Sequence, residues 1–463
     1  MEIKQPFWKR TGAALAAMLI LIVGIGLTGI RADAQTTPQQ ALEQLQLEDA
    51  AAVLIDGPDG FRREGHRALM LHDRLLDAAQ PAQTGSTAYD ALVAGAANSQ
   101  GYALAMEFLL DQMGLKQEQA RLEHELVQDP VTGEMWNRVK IDGVWYNLSA
   151  YRNDLSGDRT AFLKSDAAFA ALLGSDPSRW TGEHPCTSTY YDDWFLNQSQ
   201  DGGDLWKSEM YYTDGSGTLY AGYLMGTTSS SGIIREETGL SRVDACAVFD
   251  GSLYLIGSQD GGAQGLYLYN GSSGVEVGSG GTMVRRGSVT ATGQDIGSQT
   301  IVAMYGTSTG LTLLAQDGST RTVTLHTHTL GDWQTVQQMD CANVIPGKEV
   351  RICSDCEEIG EVRYEIPEHA YADWTVTQTP DPEQPGTVQR ECTRCHDTIT
   401  QSLPYGDLNL DEITDVLDVM TLAQSVVDGR ELLPGLDGNY DQSTDGIVDV
   451  SDVMALAHYV VNR

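Results

Sequence analysis

Positive charge is scarce in this chain. Lys and Arg total 29 against 64 Asp and Glu among 463 residues, a formal net charge of −35. A nucleic-acid surface needs clustered cations to displace counterions from phosphate, so a nucleic-acid partner is not expected. Cysteine is sparse as well: seven are too few for a disulfide-dense scaffold of this length. No long apolar run occurs beyond Ile30, which leaves the rest of the chain without a membrane span. What remains is ample for folding. Hydrophobic residues make up 41%, enough for real cores, so global disorder is excluded. The length suggests about two to four domains.

The first segment, 1–35, reads as an export signal or a retained membrane anchor. Lys4, Lys9 and Arg10 precede an apolar run from Ala13 to Ile30, and Ala32-Asp33-Ala34 offers a small-residue cleavage site. The expected location is secreted or extracellular, with membrane contact only through 1–35 if that segment is uncleaved.

Four composition regimes follow, and the expected architecture is multidomain α+β. Residues 36–190 carry helical patterns and then alternating strands. Residues 191–325 are rich in Gly, Ser, Thr and Tyr and predict a β-rich middle domain. Residues 326–404 hold five of the seven cysteines in two copies of one motif. Residues 405–463 hold two Asp-rich loops, each followed by an apolar helix.

The C-terminal loops give the most regular signal. Asp407, Asn409, Asp411, Asp415 and Asp418 place oxygen side chains at loop positions 1, 3, 5, 9 and 12, and the main chain of Ile413 stands at position 7. Asp441, Ser443, Asp445, Asp449 and Asp452 repeat those offsets, with Ile447 at position 7. A hard cation that takes six to eight oxygens suits this spacing, so two calcium ions are expected. Gly446 occupies position 6 of the second loop, where the chain turns sharply, but Glu412 occupies it in the first. Helices are predicted over 416–427 and 450–461, with Val419, Leu422 and Val426, and Val453, Leu456 and Val460, on their inner faces. The last ligand is Asp, not the Glu usual in EF-hands, and no entering helix precedes the loop. Both features resemble the duplicated loop-helix of a dockerin. The resemblance implies a module folded by calcium that docks onto a cohesin of a scaffold protein. Loop positions 10 and 11 would make the contact, here Val416, Leu417, Val450 and Ser451. Without calcium the crowded carboxylates repel, so the module should be less folded.

In 326–404, His328-(x4)-Trp333 aligns with His369-(x4)-Trp374. The stretch from Gly347 through Arg351 to Cys353-x-x-Cys356 aligns with Gly386, Arg390 and Cys392-x-x-Cys395. The pair resembles short His/Trp/CxxC repeats of bacterial surface proteins. A CxxC knuckle presents two thiolates to one tetrahedral zinc. Copy one offers His328, Cys341, Cys353 and Cys356. Copy two has Pro382 about where the third cysteine would stand and offers His369, Cys392, Cys395 and His396. Zinc or a small disulfide would each satisfy the knuckles. Cys186 and Cys246 remain, with no pairing legible.

The middle segment alternates, as in Ser252–Ile256 and Gly265–Tyr269, and carries the turn dipeptides Asp250-Gly251, Asn270-Gly271 and Asp317-Gly318. An antiparallel meander of roughly ten short strands is expected, as a sandwich or partial propeller. Its tyrosines would either pack or stack on sugar rings.

The N-terminal segment sets Leu71-His72-Asp73 on a helix and opens a second helix at Ser99-Gln100-Gly101-Tyr102. It then runs Trp136-Asn137 through an Asp142-Gly143 turn to Trp145-Tyr146-Asn147, with Asp166 beyond. The hairpin should bury one face. This order resembles the transglutaminase-like (papain-like) domain, over about residues 60 to 190. The resemblance places Ser99 at the nucleophilic Cys, Glu134 at the His and Ser149 at the Asp. A thiol nucleophile needs a His and an orienting third group, so loss of all three predicts a pseudoenzyme. The helix start at Ser99 is expected to aim N–H groups at a carbonyl or anion, giving a cleft that binds peptide or only keeps the fold.

The sequence therefore predicts an exported, non-catalytic subunit attached through a dockerin to a cellulosome-like scaffold, acting in extracellular polysaccharide degradation or surface assembly. A peptide or polysaccharide ligand is the expected cargo. The alternative is an active hydrolase or protease using Ser99 as nucleophile.

Overall fold

The computed structural model describes residues 36–462 except 56–63, 118–119, 194–203, 207–208, 214–215, 223–232, 272–273, 279–280, 308, 430–440 and 442–445. Segment 1–35 lies outside the described residues, as do Ser443 and Asp445. Among the described residues no helix is long and apolar enough to cross a membrane. The chain is mixed α+β and divides into two compact units. The first is built on Glu43–Gln334 with Glu349–Arg363, the second on Thr335–Lys348 with Tyr364–Arg463.

Among the described residues six α-helices come first, α1 (Pro38–Ile55), α2 (Glu64–Ala78), α3 (Ala88–Leu92), α4 (Ser99–Lys116), α5 (Ala150–Ser156) and α6 (Asp166–Leu173), and the first unit takes them from Glu43 onward. A three-stranded antiparallel sheet, β1 (His124–Gln128), β2 (Met135–Ile141) and β3 (Val144–Leu148), has β2 at its centre. Asp142 and Gly143, both at positive φ, turn β2 into β3. Leu71 and Leu75 of α2, Met106 and Leu109 of α4, and Val139 and Ile141 of β2 share one core. The hairpin was expected to bury one face, but β2 is covered on both. Trp136 packs at 5.1 Å from both Phe169 and Trp180, and Arg138 is buried beside it. Arg138 tolerates burial because Glu125 and the carbonyls of Trp180 and Thr181 accept its N–H groups.

Among the described residues thirteen strands follow, β4 (Asp204–Trp206) to β16 (Thr320–Thr324), in three sheets. The middle sheet runs β13 (Val289–Ala291), β10 (Gly265–Tyr269), β9 (Ser252–Ser258) and β8 (Arg242–Phe249). Its strand β8 turns Ala245, Ala247 and Phe249 to one core and Val243 and Cys246 to another. The period of two thus buries both faces, and the three sheets stack. The expected meander is interrupted once. Strand β12 (Met283–Arg286) returns to pair in parallel with β7 (Ile233–Glu237). That return carries Arg285 to Glu236 and to Glu209, at 2.6 and 2.7 Å, so a half-buried guanidinium meets two carboxylates. Tyr269 is one of the middle tyrosines that pack: it is buried, with its hydroxyl on Glu236. Cys186 and Cys246 are both buried thiols and are not disulfide-bonded.

Each Cys/His copy is a three-stranded sheet: β17 (Gln334–Gln337), β18 (Gly347–Ile352) and β19 (Ile359–Glu365), then β20 (Thr375–Gln378), β21 (Gly386–Glu391) and β22 (Thr398–Leu403). The repeated Trp and Arg stack in both: Arg363 and Arg351 lie over Trp333, and Arg390 over Trp374. Helices α7 (Val416–Asp428) and α8 (Val450–Asn462) close the chain. Leu422 and Leu456 share a core with Val388 and Leu403 of the second copy.

Candidate functional site

Three candidate sites stand on this frame. In the first, the fold links the three positions of the transglutaminase-like pattern through short steps. Asn98 caps α4, its side chain accepting from the N–H of Gln100 and of Gly101. Those two amides are therefore spent on the cap and are not left to meet an anion. Ser99 Oγ accepts from Met135 N at 3.3 Å, at the start of β2. Beside Met135, both oxygens of Glu134 meet Arg152: Nε at 2.5 Å and Nη2 at 2.6 Å. Ser149 caps α5 through Arg152 N. Arg152 was not foreseen, because it serves no role in the pattern and becomes relevant only through tertiary contact. A carboxylate held bidentately by a guanidinium is poorly placed to accept a hydroxyl proton. His124, the nearest histidine in sequence, instead faces the carbonyl of Leu122 and Asp111. Further in, Asp73 is tied to Arg159 and His72. Burial raises its pKa, but the guanidinium and the imidazole outweigh that and hold it at about 2.

The second site is the pair of knuckles, where the structure groups the ligands differently from the sequence reading. His326, His328, Cys353 and Cys356 form one cluster, and Cys341, His369, Cys392 and Cys395 the other. Within each, the ligand atoms lie within 4.8 Å of one another. The separations are 3.6 Å for Cys353 Sγ to His326 Nε2, 3.4 Å for Cys356 Sγ to His328 Nδ1, 3.3 Å for Cys395 Sγ to His369 Nδ1 and 3.8 Å for Cys341 Sγ to Cys392 Sγ. A tetrahedron with zinc bonds of about 2.3 Å to sulfur and 2.0 Å to nitrogen has edges of about 3.5–3.8 Å, so these clusters can hold a metal such as zinc. His328 also points Nε2 at Glu358, at 3.6 Å, the outer-shell partner that orients a ligating imidazole. Burial raises the Cys353 thiol, but the amides of Asp355 and Cys356 and the imidazoles of His326 and His328 outweigh it and bring Cys353 to about 5, a thiolate at neutral pH.

Two residues change place relative to the sequence reading. Cys341 belongs to the second cluster rather than to copy one, and His326 takes its place in the first. His396 is not a ligand. It sits just past the knuckle at φ +63, where copy one has Glu357 at φ +61. That left-handed turn sends its ring outward onto Glu391. His326 had a signal in the sequence, the His-x-His spacing at 326 and 328.

The third site is the pair of acidic loops. In the first, Asp407 accepts from Leu410 N and Glu412 N, and Asp418 from Leu408 N, Asn409 N and Asp415 N. Asn409 and Asp411 each cap the residue two ahead. In the second, Asp441 accepts from Gly446 N and Asp452 from Asp449 N, the same relations at positions 1 to 6 and 12 to 9. Glu412 takes the position-6 turn at φ +67, against +83 for Gly446. Asp407 and Asp418 are both buried. Burial, helped by repulsion from Asp418 and Asp411, raises Asp407 to about 6. Repelling interior carboxylates suit a cation, and the oxygen donor set suits calcium. Val416, Leu417, Val450 and Ser451 begin the two helices and are exposed.

No protein-family model matches the chain, and no curated protein matches it. One solved structure, titled "Crystal structure of a TGase", aligns with a TM-score of 0.21 and 11% identity, over 29% of this chain and 37% of that one. The chain thus spans well under two thirds of that protein, and the likeness is too slight to fix a fold.

Proposed function

We propose that the chain is an exported, non-catalytic subunit. Its C-terminal pair of calcium loops forms a dockerin that attaches it to a cohesin of a cellulosome-like scaffold, in extracellular polysaccharide degradation or surface assembly. The observation that supports this most is the repetition of one outward face. Ile413 and Ile447 are 60% and 63% exposed, Val416 and Val450 60% and 63%, Met420 and Met454 63% and 69%, and Val427 and Val461 80% and 81%. Apolar residues left outside at matched positions of two copies are a feature of a docking surface rather than of a folded tail. Calcium, on this reading, draws each loop closed and sets the first turn of each helix. The N-terminal module is a transglutaminase-like pseudoenzyme in which the pair Glu134–Arg152 occupies the ground of the base. The Cys/His copies hold zinc in a structural role.

Capture of the full chain by a panel of cohesins, in calcium and then in chelator, tests the attachment. Calcium-dependent capture supports the reading; failure of every cohesin overturns it and leaves the loops as a stabilising terminus. Ser99→Ala tests the catalytic alternative: a hydrolase or transamidase activity abolished by that change would overturn the pseudoenzyme reading.

A further inference from the structure

The knuckle clusters carry an arrangement beyond the presence of metal. We infer that the Cys/His repeats are wired in series: the turn cysteine of one copy completes the metal site of the next copy, not its own. The inference rests on the zinc reading above.

Strand geometry gives the reason. In copy one, Cys341 opens the turn that Asp340 and Ile345 close, just before β18. Cys353 comes immediately after β18. A strand of this length, Gly347–Ile352, extends about 20 Å at about 3.3 Å per residue. A zinc site spans less than 5 Å, so a cysteine at one end of that strand cannot share a metal with a knuckle at the other. It must find a knuckle elsewhere, and the one it meets is Cys392 and Cys395 with His369.

The two ends of the array carry the mark of this rule. Copy one has no copy before it among the described residues, and its site takes His326 as the fourth donor. The residue two before the equivalent His369 is Pro367, and there the fourth donor is Cys341. Copy two has no copy after it, and its turn has Pro382 in place of the cysteine. The equivalence of Cys341 and Pro382 is structural. Asp340 accepts from the N–H groups of Ala342 and Asn343, and Asp381 from those of Glu383 and Gln384, so the two turns are capped alike. A histidine stands where no upstream donor exists, and a proline stands where no downstream acceptor exists. The first site is then Cys2His2 and the second Cys3His, and the two bind metal with different ligand fields.

The full chain loaded with cobalt(II) separates the sites, because thiolate charge-transfer and d–d bands report the number of sulfur ligands. Metal content is read in parallel with the zinc-loaded protein. The expected result is two zinc or cobalt ions in the unsubstituted chain, counted apart from any calcium. Cys341→Ser should remove the Cys3His contribution and leave the Cys2His2 bands, with metal content falling from two toward one. Cys353→Ser should do the converse, and His326→Ala should weaken the same site as Cys353→Ser. Cys341→His, which keeps a donor, should retain two metals and shift only the second spectrum. If Cys341→Ser and Cys353→Ser remove the same bands, the series arrangement is overturned while zinc stands. If the unsubstituted, reduced chain takes no metal, the zinc reading itself falls, and the series arrangement with it.

Discussion

Glu134 and Asp407 are both acidic residues drawn inward by their folds, and they meet opposite company. Glu134 meets Arg152, which answers both of its oxygens. Asp407 meets Asp418 and Asp411, and its hydrogen bonds come from backbone amides. The first arrangement is electrostatically closed, since cation and anion are supplied by the same module. The second is crowded with like charge, a repulsion that a bound cation would relieve. Residues of one chemical type thus leave one site sealed and another receptive, and the deciding factor is the sign of the neighbour.

Withdrawing calcium should break this comparison most visibly. At about a thousandfold over Kd, a bound ion contributes about 4 kcal/mol, so chelator should lower the melting point of α7 and α8 and make 405–463 more sensitive to protease. The N-terminal module should keep its own melting transition, and differential scanning calorimetry with limited proteolysis checks both. Next in size is Arg152→Met. It strands the Glu134 carboxylate and should cost about 2–3 kcal/mol, less than a fully buried pair because both side chains keep some solvent contact. The double change with Glu134→Gln should recover most of that loss in urea unfolding.

Acidity sharpens the contrast in sign. Asp73 has a folded pKa of about 2, below its ordinary 3.8, so its stabilisation is full above about pH 4 and is lost as pH falls toward 2. Asp407 has a folded pKa of about 6, above its ordinary 3.8. In chelator, the folded C-terminal module binds more protons than the unfolded one between those values, so its stability should fall as pH rises from about 4 through 6. Thermal melts from pH 2 to 7 should therefore show the N-terminal module gaining stability with pH up to about 4 and the C-terminal module losing it from about 4 to 6, and the same sign in both windows would refute the contrast. The smallest effect expected is that of Ser99→Ala. It removes one acceptor of a single backbone N–H and should shift stability by about 1 kcal/mol or less.

Periodic features were legible in the sequence, and long-range ones were not. Ligand spacing in 407–418 and 441–452 repeats along the chain, so the two helices that follow could be drawn from it. The same is true of the mixed α+β character and of the knuckle pairs Cys353/Cys356 and Cys392/Cys395. The donor Cys341 was assigned to its own copy because proximity in sequence suggested it. The strand that carries it away is a property of extension, not of composition. Arg152 and the Asn98 cap were missed for a related reason. The motif names the residues that react, whereas a cap or an ion pair is recognised only once a helix end and a strand start lie side by side. The parallel return of β12 is of the same kind, since no local signal tells Arg285 which carboxylates it will reach.

The bidentate grip of Arg152 on Glu134 also bears on reversibility. Restoring Cys at 99, His at 134 and Asp at 149 would complete the motif on paper. The guanidinium would then lie against the new imidazole and disfavour its protonated form, which a thiolate–imidazolium pair requires. Three substitutions would return the letters without the reactivity, and a fourth, at Arg152, would have to come first. On the proposed pseudoenzyme reading the lock lies outside the motif, and building catalysis into this module would begin at Arg152, a residue the motif does not name.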